Sequence, residues 1–332
     1  MNKDEELKIF RQVFGQSFDS CLEHSESPDF IIKSDQIHGV EITEVYCDAT
    51  EARLRHADGY LENLLSGTGK VFRSDKNTIT VDTIKIYHED GELYSEDIAV
   101  IREVISFDDA LKLIEHAIKE KSKKSSTYLS SCHTVDLIIN DSSGLFHVQD
   151  DEKFHQFFVH HLDRSALRES SFREIFFVCD LWSGQRIYLP IKLNLFLSDF
   201  LGVLEIAESE AIEDWTESTE QIEAVLIALH ELGHTSFSFE YVDGELHVDL
   251  GGAVIEFTDT GTKIKDHTTL LIEHELAHKV GDLQSYALTE TINLANRLKI
   301  RRWENSVYVR ISYPVMAPSP RDYDQQRVIK SC

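Results

Sequence analysis

Along the first 200 residues, short runs rich in β-branched and aromatic side chains alternate with stretches whose apolar residues recur at helical spacing. This alternation constrains the fold more than any other feature of the chain. Leu7, Phe10, Val13, Phe14 and Phe18 predict an amphipathic helix over residues 3–22, and residues 49–66 and 107–128 read the same way. Ser106, three residues before Asp109, supplies an N-cap for the last of these. A further helical stretch is expected at 151–162. Between the helices lie strand-like runs at 78–87, 98–105, 135–140, 174–179 and 187–191. The expected class is α/β or α+β, a central sheet flanked by helices.

At 332 residues the chain is long for one core and comfortable for two. We expect a first domain over 1–205, a second and smaller α/β unit over 209–316, and a polar tail over 317–332. The second unit opens with a helix at 218–232. A hairpin turning at Asp243-Gly244 follows, then a helix at 268–287 and a strand near Tyr313. Leu113-Ile-Glu-His116 recurs as Leu271-Ile-Glu-His274, and the same offset aligns Lys121 with Lys279 and Tyr128 with Tyr286. Two readings stand side by side: duplication of a helix–strand unit, or two amphipathic helices written in a common vocabulary.

Two acids break the apolar pattern where a sheet should bury side chains. In SPDFIIKSDQIHGVEITEV (27–45), Asp29 and Glu41 sit on either side of a polar turn. A hairpin would bring facing residues to within roughly 5 Å, near enough for two carboxylates to share a divalent cation. Hard cations such as Mg²⁺ or Mn²⁺ take oxygen ligands, often one or two carboxylates with water and phosphate completing the shell. Glu6 shares the inward face of the first helix with Phe10 and Val13.

Pro28-Asp29-Phe30 followed by Glu41-Ile42-Thr43 resembles the PD-(D/E)XK superfamily of restriction-endonuclease-like phosphodiesterases. The resemblance is to bacterial branches that pair PDF with an E-[IV]-T strand. Their later helix reads I-x-x-K-x-x-K-x-x-x-Y, matched here by Ile118, Lys121, Lys124 and Tyr128. The likeness runs on through VDLIIN and REIFFVCD, to about residue 200. It implies a restriction-endonuclease-like sheet and a Mg²⁺- or Mn²⁺-dependent nuclease, in a setting of bacterial defence. Asp29 and Glu41 would ligate the metal, Glu6 would add an acid, and Lys121 would replace the lysine absent from the strand. Thr43 stands where the standard motif has that lysine. An inactive relative, kept as a protein-interaction module, is the alternative.

A second pattern competes. His230-Glu-Leu-Gly-His234 and His274-Glu-Leu-Ala-His278 both satisfy H-E-x-x-H, which on a continuous helix can hold zinc in a metalloprotease. The first copy should lose its geometry where the helix ends at Gly233. The second places His274 and His278 as alternative zinc ligands.

Net charge is −26, so contact with nucleic acid would depend on a local basic patch. Lys119, Lys121, Lys123 and Lys124 form one, with Lys119, Lys123 and Lys124 as candidate substrate contacts. The structural reading is an ordinary helix end, where lysines favour the dipole. The acidic remainder could face a protein partner. Five scattered cysteines, no signal-peptide core and no apolar run of membrane-spanning length point to a cytoplasmic protein without membrane contact.

Overall fold

The computed structural model describes residues 1–34, 36–102, 105–146, 161–181, 183–209, 219–234, 237–258, 260–265, 278–279 and 313–315, together with Phe154 and Phe158. Helix α1 (Lys3–Phe14) starts from a capping box: the Asn2 side chain accepts from the backbone of Glu5, whose own side chain accepts from Asn2. It stops at Gly15, whose φ of 71° only glycine adopts readily. The helix expected to reach residue 22 therefore ends more than two turns early, and Leu22–His24 becomes strand β1.

Strands β2 (Phe30–Lys33) and β3 (Ile37–Val45) form the expected hairpin. The helix expected over 49–66 is two, α2 (Ala49–His56) and α3 (Tyr60–Leu65), parted at Gly59 with φ 67°. A long ribbon, β4 (Ile79–Tyr87) with β5 (Leu93–Arg102), stands on them. Helix α4 (Phe107–Ser122) is capped by Ser106, as read, and a short α5 (Ser125–Tyr128) follows. Strands β6 (Thr134–Asp141), β7 (Ile175–Asp180) and β8 (Arg186–Pro190) complete the unit, with α6 (Arg164–Arg168) between β6 and β7.

These strands share a seven-stranded mixed sheet in the order β1-β2-β3-β6-β7-β8-β14, where β14 is Tyr313–Pro314. The pairings β3–β6 and β6–β7 are parallel and the others antiparallel. Parallel strands need both faces covered, and β6 (TVDLIIND) is buried along all of its length after Thr134. On one face, Phe10 and Phe14 of α1 pack over Phe30, Val40 and Ile42. The phenyl rings of Phe10 and Phe30 lie 5.0 Å apart. On the other face α4 sets Leu111, Ile114 and Ile118 against Leu137, Ile139 and Phe177.

A second core forms around α7 (Ile191–Ser209), a helix the apolar run hid, and α8 (Thr219–Glu231). They cover a five-stranded sheet, ordered β12-β11-β10-β9-β13. Its members are β9 (Ser238–Val242), β10 (Glu245–Asp249), β11 (Val254–Thr258), β12 (Gly261–Lys265) and β13 (His278–Lys279). The β9–β10 turn falls at Asp243-Gly244, both with positive φ, as the sequence predicts. Helix α7 serves both cores, with Ile191 and Leu195 in the first and Phe196, Phe200 and Val203 in the second. Among the described residues no helix is long and apolar enough to cross a membrane.

The helix expected over 268–287 is corrected at two residues. His278 and Lys279 are extended and pair with Phe239 and Ser238. The echo thus aligns helical Lys121 with a lysine in a strand; its remaining positions after 270, His274 and Tyr286 included, lie outside the described residues.

Candidate active site

Asp29 immediately precedes β2. Phe30 pairs with Val40, so extending the register by one pair sets Asp29 across from Glu41. The Ile42 N–H donates to Asp29 Oδ2 at 2.7 Å, which fixes the carboxylate against β3. Glu41 is buried, on the sheet face that α4 covers. There Lys121 Nζ donates to Glu41 Oε1 at 2.5 Å, joining residues 80 positions apart. Glu6, half-buried on α1, approaches the same acids. Sequence reasoning named these four residues; the fold brings Asp29, Glu41 and Lys121 together, whereas Glu6 acts on the acids only through its charge.

Their electrostatics are those of crowded acids. Burial raises the Asp29 pKa from 3.8 to about 7, and Glu41 pushes it the same way; the Ile42 N–H and Lys121 oppose, while Glu6 adds to the rise. Glu6 is raised chiefly by burial, opposed by the N-terminus, His24 and Lys3, with Glu41 the weakest contributor. Tyr128, the last residue of the helical motif, is buried, and its Oη lies beside Glu41 without meeting hydrogen-bond geometry to any partner among the described residues. Burial, then Glu41 and Asp29, raise its pKa well above the phenol range. Its closeness to both acids was not read from the sequence, although the motif contained it.

Among the described residues, no three or more histidine, cysteine, aspartate or glutamate side chains are grouped so as to hold a metal ion. The donors nevertheless suit a hard cation: carboxylate oxygens alone, mutually repelling, beside an orphaned hydroxyl. A cation there would offset both the burial and the repulsion that raise the Asp29 pKa.

The basic patch is less available than the sequence suggested. Lys119 pairs with Asp163 at 3.3 Å and Lys123 with Glu120 one turn earlier. Lys121 faces Glu41, so only Lys124 of the four is exposed with no ion pair given to it among the described residues. Thr43 is partly exposed, on the face that presents Glu41.

Neither H-E-x-x-H segment keeps the helical geometry that zinc would need. The first leaves the helix as read: Gly233 has φ 105°, and His234 turns to Asp199, with Nε2 2.8 Å from Oδ2. In the second, His278 lies in strand β13, which removes the one-turn spacing to His274; His274 itself lies outside the described residues.

A separate polar network was missed. Asp136 on β6 is fully buried and accepts from Arg173 Nε at 3.0 Å and from the Glu174 N–H at 2.9 Å; His38 Nε2 lies 3.1 Å away. The aspartate inside VDLIIN was the available signal, since a lone acid in a buried parallel strand must be matched. No protein-family model matches the chain, and neither does any curated protein or solved structure.

Proposed function

We propose that the chain is a Mg²⁺- or Mn²⁺-dependent phosphodiesterase acting on nucleic acid, built on a restriction-endonuclease-like domain. The observation that carries this reading is the meeting of Lys121 with Glu41 beside Asp29, residues drawn from three separate elements. The resemblance supports it further, because the strands it runs through (β2, β3, β6 and β7) are consecutive in one sheet.

In this reading Asp29 and Glu41 hold the metal, which supplies an activated water and neutralises charge on the scissile phosphate. The Ile42 N–H orients Asp29 by holding one of its oxygens. Lys121 exchanges its bond to Glu41 for one to the reacting phosphate, taking the role of the lysine that Thr43 displaces. Exposed Lys124 contacts the flanking backbone. Glu6 adds negative charge at the margin of the site.

The test is cleavage of DNA and RNA by the purified chain with Mg²⁺ or Mn²⁺, compared with Asp29→Ala and Lys121→Met variants shown to be folded. Both variants should lose about a hundredfold or more in rate. No metal-dependent cleavage by the wild-type chain, or full activity in Asp29→Ala, overturns the reading. A second reading, an inactive fold that binds a protein, draws on the β4–β5 ribbon. Ile84, Ile86, Leu93 and Tyr94 are exposed there. A wild-type chain that cuts nothing, yet loses a biological effect when those four residues are made polar, would favour it.

A further inference from the structure

We propose that the cleft between the two cores is a binding site for a small amphipathic anion: an apolar body with a single carboxylate or phosphate head. The cleft, counted together with the solvent-open space at its mouth, spans about 540 Å³. It lies where α6, the start of α7, the end of α8 and β10 approach one another, and it shares no lining residue with the acids at Asp29 and Glu41.

Its walls are chemically divided. Phe196, Leu232 and Phe237 supply an apolar surface, and Arg164, Lys192 and His234 bring nitrogen donors to the same space. The basic groups are largely withdrawn from water. The Arg164 side chain is 12% exposed and that of His234 is 16%, and both bond to Asp199, which is 4% exposed. Lys192 donates to the carbonyl of Phe172. Two basic side chains therefore meet on one carboxylate, and Lys192 lines the same cleft, on a chain whose net charge is −26.

Such an arrangement discriminates by charge. A second carboxylate or a phosphate entering the cleft would meet cationic N–H donors in a low-dielectric setting, where charge-assisted hydrogen bonds are strongest. A cation would meet like charge, and a neutral ligand would gain no charge-assisted hydrogen bond. The apolar walls then set a requirement for an alkyl or aryl body. The end of the first H-E-x-x-H segment acquires a role here: with the helix broken at Gly233, His234 faces this cleft instead of a metal.

The test is calorimetric titration of the full chain with octanoate, octyl phosphate and octanol. We expect saturable one-to-one binding of at least one anion, with octanol about tenfold weaker or worse, the loss of one hydrogen bond to a charged group. Preference between the two anions assigns the head group. Lys192→Met should weaken anion binding about tenfold while leaving octanol unchanged, and Lys192→Arg should restore it. His234→Gln, at a more exposed position, provides the same comparison should Lys192→Met not fold. Failure of both anions to bind, octanol binding as tightly as they do, or unchanged anion affinity in the folded variants would each overturn the proposal.

Discussion

Two aspartates of one sheet, Asp136 buried on β6 and Asp29 half-buried just before β2, meet opposite fates. Asp136 on β6 pairs in register with Val40, one residue from Glu41, the partner of Asp29. Burial pushes both carboxyls towards the protonated form. At Asp136 this is overridden by Arg173 and His38, and the pKa falls far below the carboxylate range. At Asp29 the nearest charge is another acid, and the pKa rises to about 7. Burial is common to both, so it does not mark a site. The sign of the neighbours does: a matched carboxylate holds the fold together, and a mismatched one is poised for a cation.

The strongest way to break this contrast is to remove Asp136. Asp136→Ala strands Arg173, whose side chain is 6% exposed, beside His38 at 2%. Removing one member of a buried charge pair costs about 3–5 kcal/mol, and urea unfolding should show a loss of that size. A loss under about 1 kcal/mol would mean that the network contributes nothing, and the two aspartates would no longer differ in kind.

Lys121→Met tests the other side. Among the described residues Lys121 is the one cation bonded to Glu41, but it is 21% exposed, so the loss should be smaller, about 2 kcal/mol. Because Lys121 lowers the Asp29 pKa, its removal should move the Asp29 titration, followed by carboxyl NMR, further upward. A downward move would show that Lys121 does not act on Asp29.

The pH dependence carries a definite sign. Asp29 titrates near 3.8 when unfolded and near 7 when folded, so between those values the folded chain binds more protons. Stability from this group is therefore greatest below pH 4, declines as pH rises towards 7, and stays reduced above it. Asp29→Asn should remove the decline and, allowing for screening at a partly solvated carboxyl, stabilise the protein at pH 8 by about 1–2 kcal/mol. An Asp29→Asn variant less stable than wild type at pH 8 would place Asp29 with the matched group.

How much of this was legible follows from the range of the interactions. Capping at Ser106, the Asp243-Gly244 turn and the Asp29–Glu41 hairpin depend on residues close in sequence, and each was read correctly. The breaks at Gly15 and Gly59 were missed because apolar spacing continues through them, and only the backbone registers the positive φ. Helix α7 was missed for the opposite reason: IKLNLFLSDFLGVL is apolar on nearly every side, since it serves two cores, and periodicity vanishes. The Lys121–Glu41 contact was reached only through the resemblance. The Asp136 network and the Arg164–Asp199–His234 group join residues more than 30 positions apart, and no local pattern announces them.

The smallest expected effect sharpens the contrast most finely. Tyr128 is buried beside Glu41 and Asp29, yet its hydroxyl does not meet hydrogen-bond geometry to any partner among the described residues. An unpaired buried hydroxyl is a desolvation cost without a return, so Tyr128→Phe should leave stability unchanged or raise it by less than about 1 kcal/mol. The ring remains, so its packing near Phe172 is kept. A loss above about 1 kcal/mol would instead show that Oη donates to Glu41 in solution. Tyr128 would then supply one of the donors that the acids otherwise lack, and the site would be closer to the matched condition of Asp136 than its charges imply.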